Sequence, residues 1–162
     1  ETGAAQHMRD ARILPIYEGT TAIQGNDLIS RKILMDHGGA LIQLFDQMHD
    51  DVVDAGTGLE QEQKAFFRAL DEARECLAWV LLKAEDRQIA NAIGSNMAMM
   101  LGNLCGGWLM LKSAMKCQSR TDDFARNKIV TAKFYFAHWL PRMSSYKAAV
   151  MSGDQFLNAD LS

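Results

Sequence analysis

Only two prolines, Pro15 and Pro141, occur in this 162-residue chain, where average usage near 5% would place about eight. A chain so poor in the residue that breaks helices, with long stretches free of strand-like alternation, reads as helical. Its three cysteines, Cys76, Cys105 and Cys117, form no CxxC pair and cannot all be joined. Each reads as a reduced thiol, buried or half-buried among apolar neighbours. The histidines (His7, His37, His49, His138) stand far apart with no second ligand at a metal-binding interval, which argues against a structural metal. No Lys/Arg run is longer than Arg31-Lys32, and the net charge is −3. A nucleic-acid partner, which calls for a basic patch, is therefore not expected. Residues 1–15 carry dispersed charges and no apolar core segment, so neither a secretory signal nor an Arg-rich targeting peptide is read there, and a cytoplasmic protein is expected. The missing initiator Met suggests a processed chain or a piece of something longer.

What is present is apolar: 48% of the residues are hydrophobic, ten of them methionine. That share excludes intrinsic disorder, and a chain of this length buries roughly two-thirds of its unfolded surface. From Gln88 to Leu111 no residue is charged, which is long enough to span a bilayer. Yet Gln88, Asn91, Ser95, Asn96 and Asn103 recur through it, and amides in hydrocarbon are costly. The stretch reads instead as the central helix of a bundle, with no transmembrane segment. Its glycines would let a neighbouring helix approach closely.

Hydrophobic spacing predicts helices over about 21–34, 40–53, 59–84, 87–118 and 124–151. Thr20 or Thr21 is the expected cap of the first. Gly38-Gly39 separates the first two, and Ala55-Gly56-Thr57-Gly58 forms a turn before the third. Thr121 or Asp122 caps the last, which Pro141 should kink. The expected inward faces are Leu41, Leu44, Phe45 and Met48; then Phe66, Leu70, Ala73, Leu77, Leu81 and Ala84. In the fourth helix they are Ile89, Ile93, Met97, Met100, Leu104, Trp108, Leu111 and Met115. In the last, Ile129 or Val130, Lys133, Phe134, Ala137, His138 and Trp139 follow the same rhythm; the aromatics are assigned to the core, and His138 to a packed or solvent-edge position rather than to catalysis. Short turns between long amphipathic helices give an all-α, up-and-down bundle of four to five helices.

Chemistry is concentrated in the N-terminal fifth, RDARILPIYEGTTAIQ, residues 9–24. Glu18 is a carboxylate between an aromatic and a glycine, next to apolar side chains that would raise its pKa toward that of a general base. Gly19 leaves the backbone open to a ligand. Thr20, Thr21 and the first free amides of the following helix could receive an anion. From spacing alone, a helix-capping loop with Glu18 near the positive helix end is the better reading.

The same sixteen residues closely resemble the C-terminal signature of the acyl-CoA dehydrogenases, R-D-A-[RK]-I-x-x-I-Y-E-G-T-x-x-I-Q, at every fixed position. The resemblance implies a flavoprotein that oxidises acyl-CoA thioesters to 2-enoyl-CoA. Glu18 would be the base that takes the α-proton as the β-hydride passes to flavin N5. Its backbone N–H, with a flavin ribityl hydroxyl, would polarise the thioester carbonyl. Tyr17 would line the acyl pocket, Gly19 would contact substrate, and Thr20, Thr21, Ala22 and Gln24 would contact FAD. Arg9, Asp10 and Arg12 would be structural, a salt-bridged helix end at a subunit contact. The partners implied are acyl-CoA, an electron-transfer partner and further copies of the subunit in a dimer or tetramer.

Residues 1–35 resemble the end of that family's helical catalytic domain. Residues 36–162, with GGW at 106–108 and KIVTAKFYFAHWLP at 128–141, resemble the added helical domain of a larger bacterial subgroup that includes methylmercaptopropionyl-CoA dehydrogenases. The family's other domains are not in this sequence, so the chain alone is expected neither to hold FAD tightly nor to turn over. The alternative reading is a non-catalytic interaction or oligomerisation module.

Overall fold

In a computed structural model describing residues 3–13, 21–86, 88–155 and 157, the chain is α-helical, with no strand among the described residues. The elements are α1 (Ala4–Ala11), α2 (Thr21–Asp27), a π-helical segment (Leu28–Ile33), α3 (Gly39–Val52), α4 (Glu60–Leu82), α5 (Ile89–Cys117), α6 (Asp123–His138), a 3-10 turn (Leu140–Arg142) and α7 (Met143–Met151). The expected all-α bundle is what forms.

The uncharged stretch becomes α5, which packs against α2, α3, α4, α6 and α7. A helix surrounded in this way needs apolar residues on nearly every side. Accordingly Ile89, Ile93, Met97, Met100, Leu104 and Leu111 are buried, while Trp108 and Met115 pack at the core's edge. No helix of the described residues is long and apolar enough to cross a membrane.

Cross-contacts establish the helix directions. The Arg74 guanidinium meets Asp46 at 2.8 Å, and Gln63 donates to the Val52 carbonyl at 2.8 Å, so α3 and α4 are antiparallel. Asp51, near the end of α3, accepts from Lys112 Nζ at 2.6 Å and from Trp108 Nε1 at 3.1 Å, near the end of α5. Tyr135 of α6 reaches Asn103, and Ile93 lies against Gly153 beyond α7. Helices α3, α4, α5 and α6–α7 therefore alternate up and down.

Punctuation follows local chemistry. Gly38 takes a left-handed φ of 77° against Leu77, and Asp36 accepts from Gly38 N–H (3.0 Å) and Ala40 N–H (2.8 Å) at the start of α3. Of the two candidate caps for α6, Asp122 is used, accepting from Ala125 N–H at 3.1 Å. Pro141, which has no N–H to donate, sits in the 3-10 turn that divides the last predicted helix into α6 and α7.

Two expectations are corrected. The helix read over 21–34 changes after Asp27 into π turns, with Leu34 N–H donating to the Ile29 carbonyl at 2.9 Å. Wider turns bring residues four apart nearly into line, which points Ile29 and Ile33 together into the core. In α6 the inward residues are Ala125, Ala132 and Phe136, whereas Val130, Phe134, Ala137, His138 and Trp139 are exposed. Phe134-Tyr135-Phe136 places three aromatics about 100° apart around the helix, so periodicity alone could not choose the inward one.

Cys76 and Cys117 are buried and Cys105 is half-buried, all as free thiols. Burial pushes the Cys76 thiol up to about 11, which leaves it inert.

Candidate active-site segment and its seat

Of the residues singled out in the sequence, Tyr17, Glu18, Gly19 and Thr20 lie outside the described residues. Thr21, Ala22 and Gln24 lie on α2, and all three are exposed. Upstream, α1 has no buried residue. Its signature side chains Arg9 and Asp10 each bond Gln6, at 2.7 Å, rather than one another.

The inner side of α2 is formed by Gly25, which is buried directly on Gly94 of α5. A Cβ placed on Gly94 would lie 2.6 Å from the Gly25 carbonyl carbon and 2.9 Å from the Asn26 nitrogen. A Cβ on Gly25 would lie 2.7 Å from the Ser95 nitrogen. Both clashes are with backbone, which cannot rotate away. Beside this crossing the Asn26 and Asn91 side-chain amides meet at 2.5 Å. With Gly25 over Gly94 and Asn26 over Asn91, α2 runs antiparallel to α5. The outward turn of Thr21, Ala22 and Gln24 is thus open to a group arriving from outside the bundle.

Further along α5, an apolar groove of about 470 Å³ is lined by Ala98, Met99, Tyr135, Trp139 and Tyr146 around Asn103. Among the described residues Asn103 is the buried polar one. It donates from Nδ2 to the Trp139 carbonyl at 2.9 Å, and the Tyr135 hydroxyl lies 2.8 Å from its Oδ1. Burial raises the Tyr135 pKa. The Arg142 guanidinium covers the Trp139 ring at 3.9 Å. These bonds tie α6 to α5 just before the Pro141 turn. No carboxylate, imidazole, amine or thiol is among the described side chains that line the groove. Among the described residues no group of His, Cys, Asp and Glu is placed to hold a metal.

Gly25, Asn26, Asn91 and Gly94 were not singled out as a set by sequence reasoning. The glycines of the uncharged stretch announced a close approach, but nothing in the spacing indicated which helix would make it.

An all-α bundle with its longest helix at the centre, preceded by a short helix carrying the last quarter of a flavoenzyme-like signature, defines a class: the C-terminal helical regions of acyl-CoA dehydrogenases. Residues 44–159 match the family described as Acetyl-CoA dehydrogenase C-terminal like, and the chain belongs to that family. Among curated relatives it is 36% identical to 3-methylmercaptopropionyl-CoA dehydrogenase of Ruegeria pomeroyi, over 99% of this chain and 29% of that protein. It is 30% identical to the broad-specificity linear acyl-CoA dehydrogenase FadE5 of Mycobacterium tuberculosis, over 92% of this chain and 27% of that protein. The chain thus spans less than a third of either relative. No solved structure matches it. The resemblance read from the sequence to acyl-CoA dehydrogenases is borne out by these matches.

Proposed function

We propose that this chain is the C-terminal part of a flavin-dependent acyl-CoA dehydrogenase and carries its catalytic base. The observation that supports this most is the complete signature at residues 9–24, in a chain whose relatives are acyl-CoA dehydrogenases. Residues 1–35 are then the end of the helical catalytic domain and 36–162 the added bundle. The family match beginning at residue 44 supports that division.

In this reading the Glu18 carboxylate abstracts the α-proton of the bound thioester. That proton is too weakly acidic to leave unless the carbonyl is polarised, which the Glu18 N–H contributes as a fixed donor. Tyr17 shapes the acyl site and Gly19 lets the thioester approach the backbone. Thr20, Thr21, Ala22 and Gln24 would hold FAD, which when bound supplies the acceptor for the β-hydride. An electron-transfer partner then reoxidises the enzyme, in a cytoplasmic setting. Taken by themselves, these 162 residues, which span less than a third of either relative, should hold no tight FAD and not turn over.

The test is Glu18→Gln in the full-length enzyme. A positioned general base contributes roughly 10²–10⁴-fold, and the variant should lose at least that in kcat while keeping its flavin absorbance. Full activity in the variant would overturn the assignment.

A second reading has its own support. Val130 and Phe134, one helical turn apart on α6, are exposed at 65% and 55%. The bundle is then also a subunit-association surface, holding the enzyme as a dimer or tetramer.

A further inference from the structure

The seat of α2 has a role beyond packing. We propose that Gly94 and Asn91, on α5, are positioning residues for the cofactor-contacting turn Thr21–Gln24. This deepens the reading above and rests on it. Among the described residues the turn contributes no buried side chain, Thr21, Ala22, Ile23 and Gln24 all being exposed. What seats α2 on α5 is Gly25, in backbone contact with Gly94, and Asn26, whose amide meets Asn91. The place of the turn is therefore inherited from α5 through those two contacts. After them, Ile29 and Ile33 fasten the chain into the same core as α3, α4 and α5.

The contact at Gly94 allows no compromise. An added methyl group there meets Gly25 and Asn26 backbone atoms at 2.6–2.9 Å, so α2 must move as a rigid body. A shift of about 1 Å in a positioned group can cost roughly 100-fold in rate. The neighbouring Gly102 provides the internal comparison. It lies on the same helix, and nothing stands within 4 Å of a Cβ placed on it.

The experiment uses the full-length enzyme with Gly94→Ala, Asn91→Ala and Gly102→Ala. Four readouts are taken: circular dichroism of the bound flavin, the FAD dissociation constant, amide exchange over 21–27 after FAD removal, and kcat with KM measured separately. Gly94→Ala should change the flavin dichroism, speed exchange over 21–27, weaken FAD about tenfold or more and lower kcat more than it raises KM. Asn91→Ala should shift the same readouts less, and Gly102→Ala should match the parent enzyme. Parent-like flavin dichroism and exchange in Gly94→Ala overturn the proposal, as does an equal loss in Gly102→Ala. If Gly94→Ala does not fold, Asn91→Ala decides alone: altered dichroism and exchange support the seat, and parent-like values overturn it. A fully active Glu18→Gln enzyme would overturn the base assignment, yet leave the flavin and exchange readouts able to judge the seat.

Discussion

Asp51 shows how much a single polar side chain can organise in an otherwise apolar bundle. Its carboxylate receives Lys112 Nζ at 2.6 Å and Trp108 Nε1 at 3.1 Å, while the same ammonium lies 4.6 Å from the Trp108 ring centroid. The Lys112 hydrogen bond, helped by those from Gln47 and Trp108, holds Asp51 below the usual carboxylate range. A lowered folded pKa means that the stabilisation is fully present above the ordinary aspartate value and lost as pH falls through the folded value. Asp51→Asn should therefore cost most at neutral pH, with its difference from the parent chain shrinking below about pH 4. Urea titrations at neutral and acid pH check this, and a difference independent of pH would contradict it.

Helices α4 and α5 were legible because apolar residues recur every three or four positions with charges or amides between them. In α4, Phe66, Leu70, Ala73 and Leu77 are buried as expected, although Ala84 falls exposed beyond the helix end. Helix α6 was legible as a helix but not in its orientation, since aromatics and alanines occur on both sides and tertiary contacts decide. The role of Glu18 was legible only through family resemblance; its chemistry could not be told from helix capping by spacing. The Gly25–Gly94 crossing was not legible at all, because a glycine does not name its partner. Glycines on one helix also differ in meaning. A Cβ on Gly106 would fall on the Tyr135 hydroxyl, whereas one on Gly102 meets open space. Gly102→Ala should stabilise the chain by up to ~1 kcal/mol through helix propensity. Gly106→Ala should cost about 1–3 kcal/mol, as Tyr135 is forced off Asn103. Thermal unfolding of the two variants measures the contrast.

The whole chain combines an exposed first turn of α2 with two large apolar side chains exposed on α6, Val130 and Phe134. Phe134 stacks on His138 with ring centroids 4.4 Å apart, and Val130 lies one turn away. If this face joins subunits, the chain should sediment as a dimer or larger species at high concentration, and Phe134→Glu should return it to monomer. A parent chain that stays monomeric throughout would count against an association role.

Around the bundle, Lys83–Asp154, Lys147–Glu75 and Arg74–Asp46 are ion pairs open to solvent, and dissolved salt weakens such pairs. The meeting of Gly25 and Gly94 has no charge to screen, no proton to lose and no rotamer to change. Ionic strength and pH can loosen the rim of the molecule while the one contact made of bare backbone keeps its spacing, which makes it the fixed point from which α2 is measured.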